Sequence, residues 1–170
     1  MAVASATRYT GMNVDSDLIM ALFKALNLEG VRYKVIGGVA LNLHGIVRAT
    51  EDLDLFVAPD EENVGRLKRA LASVFSDPSI EEISATDLAG EYPAIQYVPP
   101  EGGMSIDLLA RLGETFDYEG IEATEEDVEG VRVMVATPRM LYRMKRDTVR
   151  LQDKADAARL KELFDIEDTH

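Results

Sequence analysis

Two glycines, Gly37 and Gly38, stand between a predicted strand and a predicted helix and most constrain how this chain can fold. Tyr33–Ile36 is a short apolar run typical of a strand, and residues 39–44 are typical of a short helix that ends at Gly45. Paired glycines that open a helix leave backbone N–H groups free to bind an anion. The pattern indicates a phosphate-binding turn, although a tight strand-to-helix turn accounts for the glycines equally well.

A second strand, predicted at Asp52–Val57, carries two acidic residues on one face. Side chains alternate along a strand, so Asp52 and Asp54 point the same way while Leu53, Leu55 and Val57 point into a core. Two carboxylates this close repel each other and stay ionised cheaply only if a cation lies between them. Hard oxygen ligands suit Mg²⁺, which usually also binds substrate phosphates. The two strands together predict a site for a metal ion and a nucleoside triphosphate.

A third acidic residue, Asp107, lies in an apolar strand predicted at residues 104–110. Ile106 and Leu108 share one face of this strand, and Asp107 stands on the opposite face with Ser105. A lone acid in an apolar strand is costly unless it is paired, bound to a metal or placed at the end of the sheet. Asp107 is therefore the candidate for a third carboxylate of the site, and an edge-strand acid that faces water is the alternative.

Composition limits the class of protein and its partners. The chain has 170 residues, a net charge of −13 and no cysteine, which favours a single domain and excludes disulfides and thiolate metal sites. The negative charge makes non-specific nucleic-acid binding unfavourable. Residues 114–129 carry only acidic charges and residues 139–161 are mainly basic, and we interpret most of both as solvated surface. Residues 1–11 lack the apolar core of a signal peptide and no segment is long enough to span a membrane, so a cytoplasmic location is predicted.

The order of predicted elements is helix, strand, helix, strand, helix, then strands, then helices. This order predicts an α+β fold in which a mixed β-sheet is flanked by helices and followed by a helical C-terminal segment. The single domain would span residues 1–170, with a core over 14–136 and C-terminal helices over 137–165. The separate predictions are a first helix capped at 14–16 and ended by Gly30, a helix from 60 to 75, a short strand at 80–84, a hairpin of 93–98 with 104–110, two strands separated by Gly130, and a helix that begins at Thr137 and Pro138.

These residues together resemble a known family. The stretches Gly37-Gly38-Val39-Ala40-Leu41 and Arg48-Ala49-Thr50-Glu51-Asp52-Leu53-Asp54-Leu55, followed by an isolated strand aspartate, resemble the nucleotidyltransferase superfamily with the DNA polymerase beta-like fold. Within it, the chain is most similar to the small abortive-infection type IV toxin nucleotidyltransferases and their minimal relatives. The stretches Thr137-Pro138-Arg139-Met140-Leu141-Tyr142-Arg143-Met144-Lys145 and Gln152-Asp153-Lys154-Ala155-Asp156 are similar to the helices of that family.

The resemblance implies transfer of a nucleoside monophosphate (NMP) from an NTP to an acceptor hydroxyl. Asp52 and Asp54 would hold two Mg²⁺ ions, or Mn²⁺ in their place, and Asp107 would complete the coordination of one of them. Gly37 and Gly38 would let the backbone approach the triphosphate. The remaining nucleotide-binding candidates are Arg48, Thr50, Lys145, Asp153 and Lys154.

The chain departs from the superfamily pattern at two positions. Gly38 replaces a serine that many members carry, so a hydroxyl contact to phosphate is lost while backbone donors remain. Gln152 stands where some relatives have an arginine, which makes the role of Asp153 less defined. His44 is interpreted as a structural or surface residue, and Arg48 and Thr50 could instead order their loop.

The sequence leaves the acceptor and the partners open. The acceptor could be a protein side chain, as in a toxin–antitoxin pair, an RNA 3′ end or an antibiotic hydroxyl. A chain of this length has little room for an acceptor domain, so a partner protein or a second copy in a dimer could form the other wall of the site. The alternative function is a non-catalytic nucleotide-binding or partner-binding regulatory module of the same fold.

Overall fold

The computed structural model describes residues 15–90 and 94–168, and its centre is a six-stranded mixed β-sheet. The sheet strands are β1 (Tyr33–Ile36), β2 (Asp52–Val57), β3 (Ala94–Tyr97), β4 (Ser105–Leu109), β7 (Ala123–Val128) and β8 (Val131–Ala136), and β5 (Arg111–Leu112) pairs with β6 (Phe116–Asp117) in a separate hairpin. The order across the large sheet is β3-β4-β2-β1-β8-β7. The pairs β2–β4 and β1–β8 are parallel and the other neighbours are antiparallel, so the predicted mixed sheet and α+β class are confirmed.

Capping residues define where the helices begin. The helices are α1 (Ser16–Leu28), α2 (Gly37–Leu43), α3 (Glu61–Val74), α4 (Ala85–Leu88), α5 (Pro138–Lys145) and α6 (Leu151–Phe164). Side-chain oxygens of Asp15, Asp60 and Thr137 accept hydrogen bonds from the first-turn backbone of α1, α3 and α5. The predicted starts of these three helices are therefore confirmed, with Asp15 as the cap of the first. None of the helices described here is long and apolar enough to cross a bilayer.

The helices lie on both faces of the sheet. On one face, Phe23 of α1 stacks on Tyr33 of β1 with ring centroids 6.5 Å apart, and α3 packs against α1. On the other face, α2 follows β1 directly and α5 contacts α2, while α6 packs against α5. Buried residues of the C-terminal helices, such as Leu141 and Leu160, join the same apolar core as the sheet. The C-terminal helical segment is thus part of the core, on the face that carries Asp54.

The predicted strand at residues 80–84 is wrong. Residues Pro78–Glu82 form a 3₁₀ helix, with Pro78 in its first turn and the Asp77 side chain accepting from the Ser79 backbone. Ile80 and Ile83 are both buried and lie three residues apart, which is the spacing of a helical turn and not of a strand.

The other strand predictions are confirmed where the structure describes them. β3 and β4 form the predicted antiparallel hairpin, although the predicted first residue, Pro93, lies outside the described residues. β7 and β8 flank a turn at Glu129 and Gly130, both of which have positive φ. The short hairpin of β5 and β6 was not predicted from the sequence, because each strand has only two residues. The predictions for residues 1–11 also concern a segment outside the described residues.

Candidate active site

The parallel pairing of β2 with β4 brings two predicted site residues together. Asp54 is the direct partner of Asp107, and Asp52 is the partner of Ser105. Directly paired residues of neighbouring strands point to the same face of a sheet, so Asp52, Asp54 and Asp107 share one face. The Ser105 hydroxyl donates a hydrogen bond to the Asp52 carboxylate. Asp107 therefore lies beside Asp54 and not on the opposite face of the sheet.

Burial and neighbouring acids perturb Asp54 strongly. Burial raises the pKa of its carboxyl group to about 7, and the adjacent Asp107 adds to this increase through a hydrogen bond and through charge. The charge of Asp52 contributes in the same direction, and the Lys145 ammonium opposes them. Two carboxyl groups held this close cannot both ionise cheaply in the absence of a cation. A positive ion between Asp54 and Asp107 would remove this repulsion.

The donor set at this pair suits a hard divalent cation. Asp54 and Asp107 offer carboxylate oxygens, the ligand type that Mg²⁺ and Mn²⁺ prefer. Within residues 15–90 and 94–168 the side chains do not form a cluster of three or more acidic or histidine groups arranged around one ion. Asp52 lines the same cleft as the other two acids, and one of its carboxylate oxygens accepts a hydrogen bond from the Ser105 hydroxyl. The residues thus fit a metal in their chemistry, with Asp54 and Asp107 as the preformed part.

The two glycines are required by the close approach of residues on β2 and the loop before it. Gly37 has φ +70°, and a Cβ atom placed on it would lie 2.0 Å from a carboxylate oxygen of Asp54. A Cβ atom on Gly38 would lie 2.3 Å from the Thr50 methyl group. Any larger residue would displace Asp54 or Thr50. The turn therefore sets the position of a candidate metal ligand, in addition to the anion-binding role that the sequence suggests.

Arg48 and Thr50 both lie in the loop that leads into β2, and the structure gives them different surroundings. Arg48 donates through Nη1 to Asp156 Oδ2 at 2.7 Å, and 22% of its side chain is exposed. Thr50 is buried under Gly38, and its hydroxyl has no hydrogen-bond partner among the described residues. Arg48 is thus a positive charge held in place by a buried acid, while Thr50 contributes an unsatisfied hydroxyl beside the glycine turn.

Lys145, at the end of α5, is held by two acids of α6. Its Nζ atom donates to Asp153 Oδ1 and to Asp156 Oδ2, each at 3.1 Å. Asp156 is only 2% exposed and also accepts from Arg48 and from the Gln152 amide. A buried carboxylate requires such partners, because an unpaired buried charge is very unfavourable. The network ties the loop before β2 to the two C-terminal helices.

The remaining predicted residues differ in placement. Burial raises the pKa of Asp153, but Lys145, the Thr148 hydrogen bond and the charge of Arg150 together leave that pKa below its ordinary value. Lys154 is exposed on α6 and is not among the residues that line the polar cavity described next. The structure therefore brings Asp153 to the site and leaves Lys154 outside it.

A polar cavity of about 410 Å³ collects the predicted residues. Nine of the ten candidates line it: Gly37, Gly38, Arg48, Thr50, Asp52, Asp54, Asp107, Lys145 and Asp153. Arg150 also lines this cavity, and its exposed side chain approaches Asp153 at 3.8 Å. Cations and paired carboxylates in one cleft are an arrangement able to hold a polyanion together with a divalent ion.

Sequence reasoning did not assign a role to Asp156, which is the most buried acid of the network. A usable signal was present, because Asp153 and Asp156 are three residues apart and so share one face of α6. Ala157 and Leu160, which are also buried, lie on that same side. An acid on the buried stripe of a helix predicts a buried ion pair, which is what the structure shows with Lys145 and Arg48.

Comparison with solved structures supports the fold. An antigenic nucleotidyltransferase-like protein from Paracoccidioides brasiliensis matches with a TM-score of 0.56 and 19% identity, over 88% of this chain and 78% of that one. A putative nucleotidyltransferase from Thermotoga maritima matches with a TM-score of 0.52 and 16% identity, over 88% and 91% of the two chains. The antibiotic-resistance factor ANT(2″)-Ia matches with a TM-score of 0.53 and 15% identity, over 87% and 83%. At these identities the likeness shows a shared nucleotidyltransferase fold.

Comparison at the level of sequence families covers most of the chain. No curated protein matches this sequence. The model of the family described as nucleotidyl transferase AbiEii toxin, type IV TA system, matches residues 34–167, which include the glycine turn, the three aspartates and the C-terminal helices. This chain therefore belongs to the AbiEii family of nucleotidyltransferase toxins.

Proposed function

We propose that this protein is a nucleotidyltransferase that uses Mg²⁺ or Mn²⁺ to move an NMP from an NTP to an acceptor hydroxyl. The observation that carries the proposal is the direct pairing of Asp54 with Asp107 on parallel strands, with the glycine turn packed against Asp54. Paired acids next to a cleft lined by Arg48, Lys145 and Arg150 suit a ligand that brings both phosphates and a divalent ion. Family membership supports nucleotidyl transfer in general.

The proposed reaction is a substitution at the α-phosphorus of the NTP. The acceptor oxygen forms a bond to the α-phosphorus of the NTP, and the bond from that phosphorus to the bridging oxygen of the β-phosphate breaks. Pyrophosphate leaves, and the proton of the acceptor hydroxyl passes to solvent. A divalent ion at Asp54 and Asp107 would neutralise charge that develops on the phosphoryl oxygens. Arg48 and Arg150 would hold the negative charge of the departing pyrophosphate, and the glycine turn would keep the Asp54 carboxylate in place.

We further propose that the protein acts as the toxin of a toxin–antitoxin pair, with a partner protein as its antitoxin. Membership of the AbiEii family is the support for this role. The acceptor is proposed to be a hydroxyl on a macromolecule, and a protein or an RNA are the two candidates. A net charge of −13 makes non-specific nucleic-acid binding unfavourable, so an RNA acceptor would need the basic residues of 139–161 as a local contact surface.

A labelling experiment tests the transfer. The protein is mixed with Mg²⁺, a cell lysate and an NTP that carries ³²P at either the α- or the γ-phosphate. We expect the α-label to appear in an acceptor and the γ-label to leave as pyrophosphate. The Asp107→Asn variant should abolish labelling, whereas Glu101→Gln, which changes an exposed acid in the β3–β4 loop, should not. Transfer of the γ-label, or labelling that persists in Asp107→Asn, would reject nucleotidyl transfer by this site.

Metal dependence is tested by binding. Calorimetric titration should show much tighter NTP binding with Mg²⁺ or Mn²⁺ than with EDTA. The Asp54→Asn variant should lose this difference, because it removes one of the two preformed carboxylates. Equal NTP affinity with and without the metal would favour the second candidate function, a nucleotide-binding or partner-binding module. The hydrogen bond from Ser105 to Asp52 is the observation that favours this candidate, because it occupies one carboxylate oxygen of the third acid.

A further inference from the structure

A second cavity, of about 560 Å³, adjoins the polar cavity and has a different lining. It lies between the β3–β4 edge of the sheet and α5. The two cavities share six lining residues, so they meet at the carboxylate pair: Gly37, Asp54, Asp107, Lys145, Arg150 and Asp153. A single ligand that passes the pair can therefore occupy both.

The second cavity is mainly apolar. Leu109 of β4 and Leu112 of β5 line one side, and Leu141 and Met144 of α5 line the other. Leu141 is 1% exposed and belongs to the core, whereas Leu112 is 39% exposed. Burial of the exposed apolar surface by a ligand would be favourable. Cavities of this size with an apolar lining and a few polar groups are typical of small-molecule sites.

Gln96 supplies an uncharged polar side chain to this cavity. It is the direct partner of Asp107 across the β3–β4 pair, so it extends the row that Asp54 and Asp107 begin on the same sheet face. Its side chain has no hydrogen-bond partner among the residues that the structure describes, and it lines the cavity. An amide offers both donors and an acceptor, the complement of the edge of a nucleobase. Thr148, in contrast, already bonds to Lys145 and Asp153.

We propose that this second cavity binds the base of the donor NTP, with Leu112 and Met144 against the flat face of the base and Gln96 at its polar edge. The inference rests on the proposed function, because it needs the triphosphate in the polar cavity. A nucleotide has the required form, since one end is a polyanion and the other is a planar, largely apolar ring system. The two ends would lie on either side of the Asp54–Asp107 pair, in cavities of matching character.

The test compares two probes that differ only in the presence of a nucleoside. In Mg²⁺, the binding of ATP, GTP, CTP and UTP is measured by calorimetry beside that of inorganic tripolyphosphate. We expect Met144→Ala and Leu112→Ala to weaken binding of the preferred NTP about tenfold, equivalent to roughly 1.4 kcal/mol, and to leave tripolyphosphate binding unchanged. Gln96→Ala should reduce the difference among the four NTPs. Leu163→Ala, an exposed apolar residue of α6 outside both cavities, is the matched control.

The outcomes separate this inference from the proposed function. If Leu112→Ala and Met144→Ala leave NTP affinity unchanged, the cavity does not bind the base and is left for the acceptor. If either variant weakens NTP and tripolyphosphate equally, its role is structural, and the inference is again overturned. Leu112 and Gln96 are exposed, so their variants should fold even if Met144→Ala does not. A wild-type protein that binds neither probe with Mg²⁺ would overturn the proposed function itself.

Discussion

Asparagine in place of Asp54 should stabilise the metal-free protein at alkaline pH. In the folded chain the pKa of this carboxyl group is raised from an ordinary 3.8 to about 7, mainly by burial and by the adjacent Asp107. The folded state therefore keeps a proton that the unfolded state has already lost between these two pH values. The free energy of unfolding falls as pH rises through this window, and the full cost is present above pH 7.

The magnitude follows from the difference in pKa. The change from 3.8 to about 7 corresponds to roughly 4 kcal/mol at pH 8, at 1.36 kcal/mol per unit of pKa. Asparagine has nearly the same shape as the protonated acid and can still donate a hydrogen bond to Asp107. We therefore expect Asp54→Asn to be more stable than the wild type by about 1–4 kcal/mol at pH 8 in EDTA, with the gain absent near pH 4.

The assay is urea unfolding of both proteins in EDTA at several values between pH 4 and pH 8. Glu101→Gln, which removes an exposed acid of the β3–β4 loop, controls for the change in net charge. Mg²⁺ added at pH 8 should stabilise the wild type by about 2.7 kcal/mol at a concentration 100 times its Kd, and should stabilise Asp54→Asn less. If Asp54→Asn is no more stable than the wild type at pH 8 and shows the same pH dependence, the pKa of Asp54 is not raised in the folded protein.

Three other changes test the structure around the site. Gly37→Ala should lower the free energy of unfolding more than Gly102→Ala does, and it should also abolish NTP transfer. Both glycines have positive φ, so the backbone strain is similar. A Cβ atom at Gly37 would lie 2.0 Å from a carboxylate oxygen of Asp54, whereas one at Gly102 would have no atom within 4 Å. Asp156→Asn should destabilise the protein by about 3–5 kcal/mol in urea unfolding, because it leaves Arg48 without its buried partner and Lys145 with Asp153 alone. The exposed Lys154→Ala should change stability by less than about 0.5 kcal/mol. The pKa of Asp153 is lowered on folding, so the stability that this group contributes should be present near neutral pH and be lost as pH falls through its folded pKa. In thermal unfolding, Asp153→Asn should lose less stability on acidification than the wild type. An unaltered pH profile would contradict this assignment.

Local sequence patterns predicted the elements that carry the first part of the site. Tyr33–Ile36 and Asp52–Val57 were predicted with their observed bounds, because short apolar runs bounded by glycine, proline or charged residues are a local signal. The same alternation placed Asp52 and Asp54 on one face. The prediction failed at residues 80–84, where apolar residues three apart form a helical turn, and the two-residue strands β5 and β6 were too short for any periodic signal.

The contacts between distant segments were decided by the tertiary structure alone. Asp107 lies beside Asp54 only because β4 inserts next to β2 in one register, and a shift of a single residue would turn Asp107 to the opposite face. The ion-pair network of Asp156 with Lys145 and Arg48 likewise joins distant segments, since Arg48 and Asp156 are 108 residues apart. The network forms because α5 and α6 fold back over the sheet. Sequence determined which groups were available, since strand alternation and helix caps act over a few residues. Strand register and helix docking determined which of these groups meet, because they depend on the burial of the whole core.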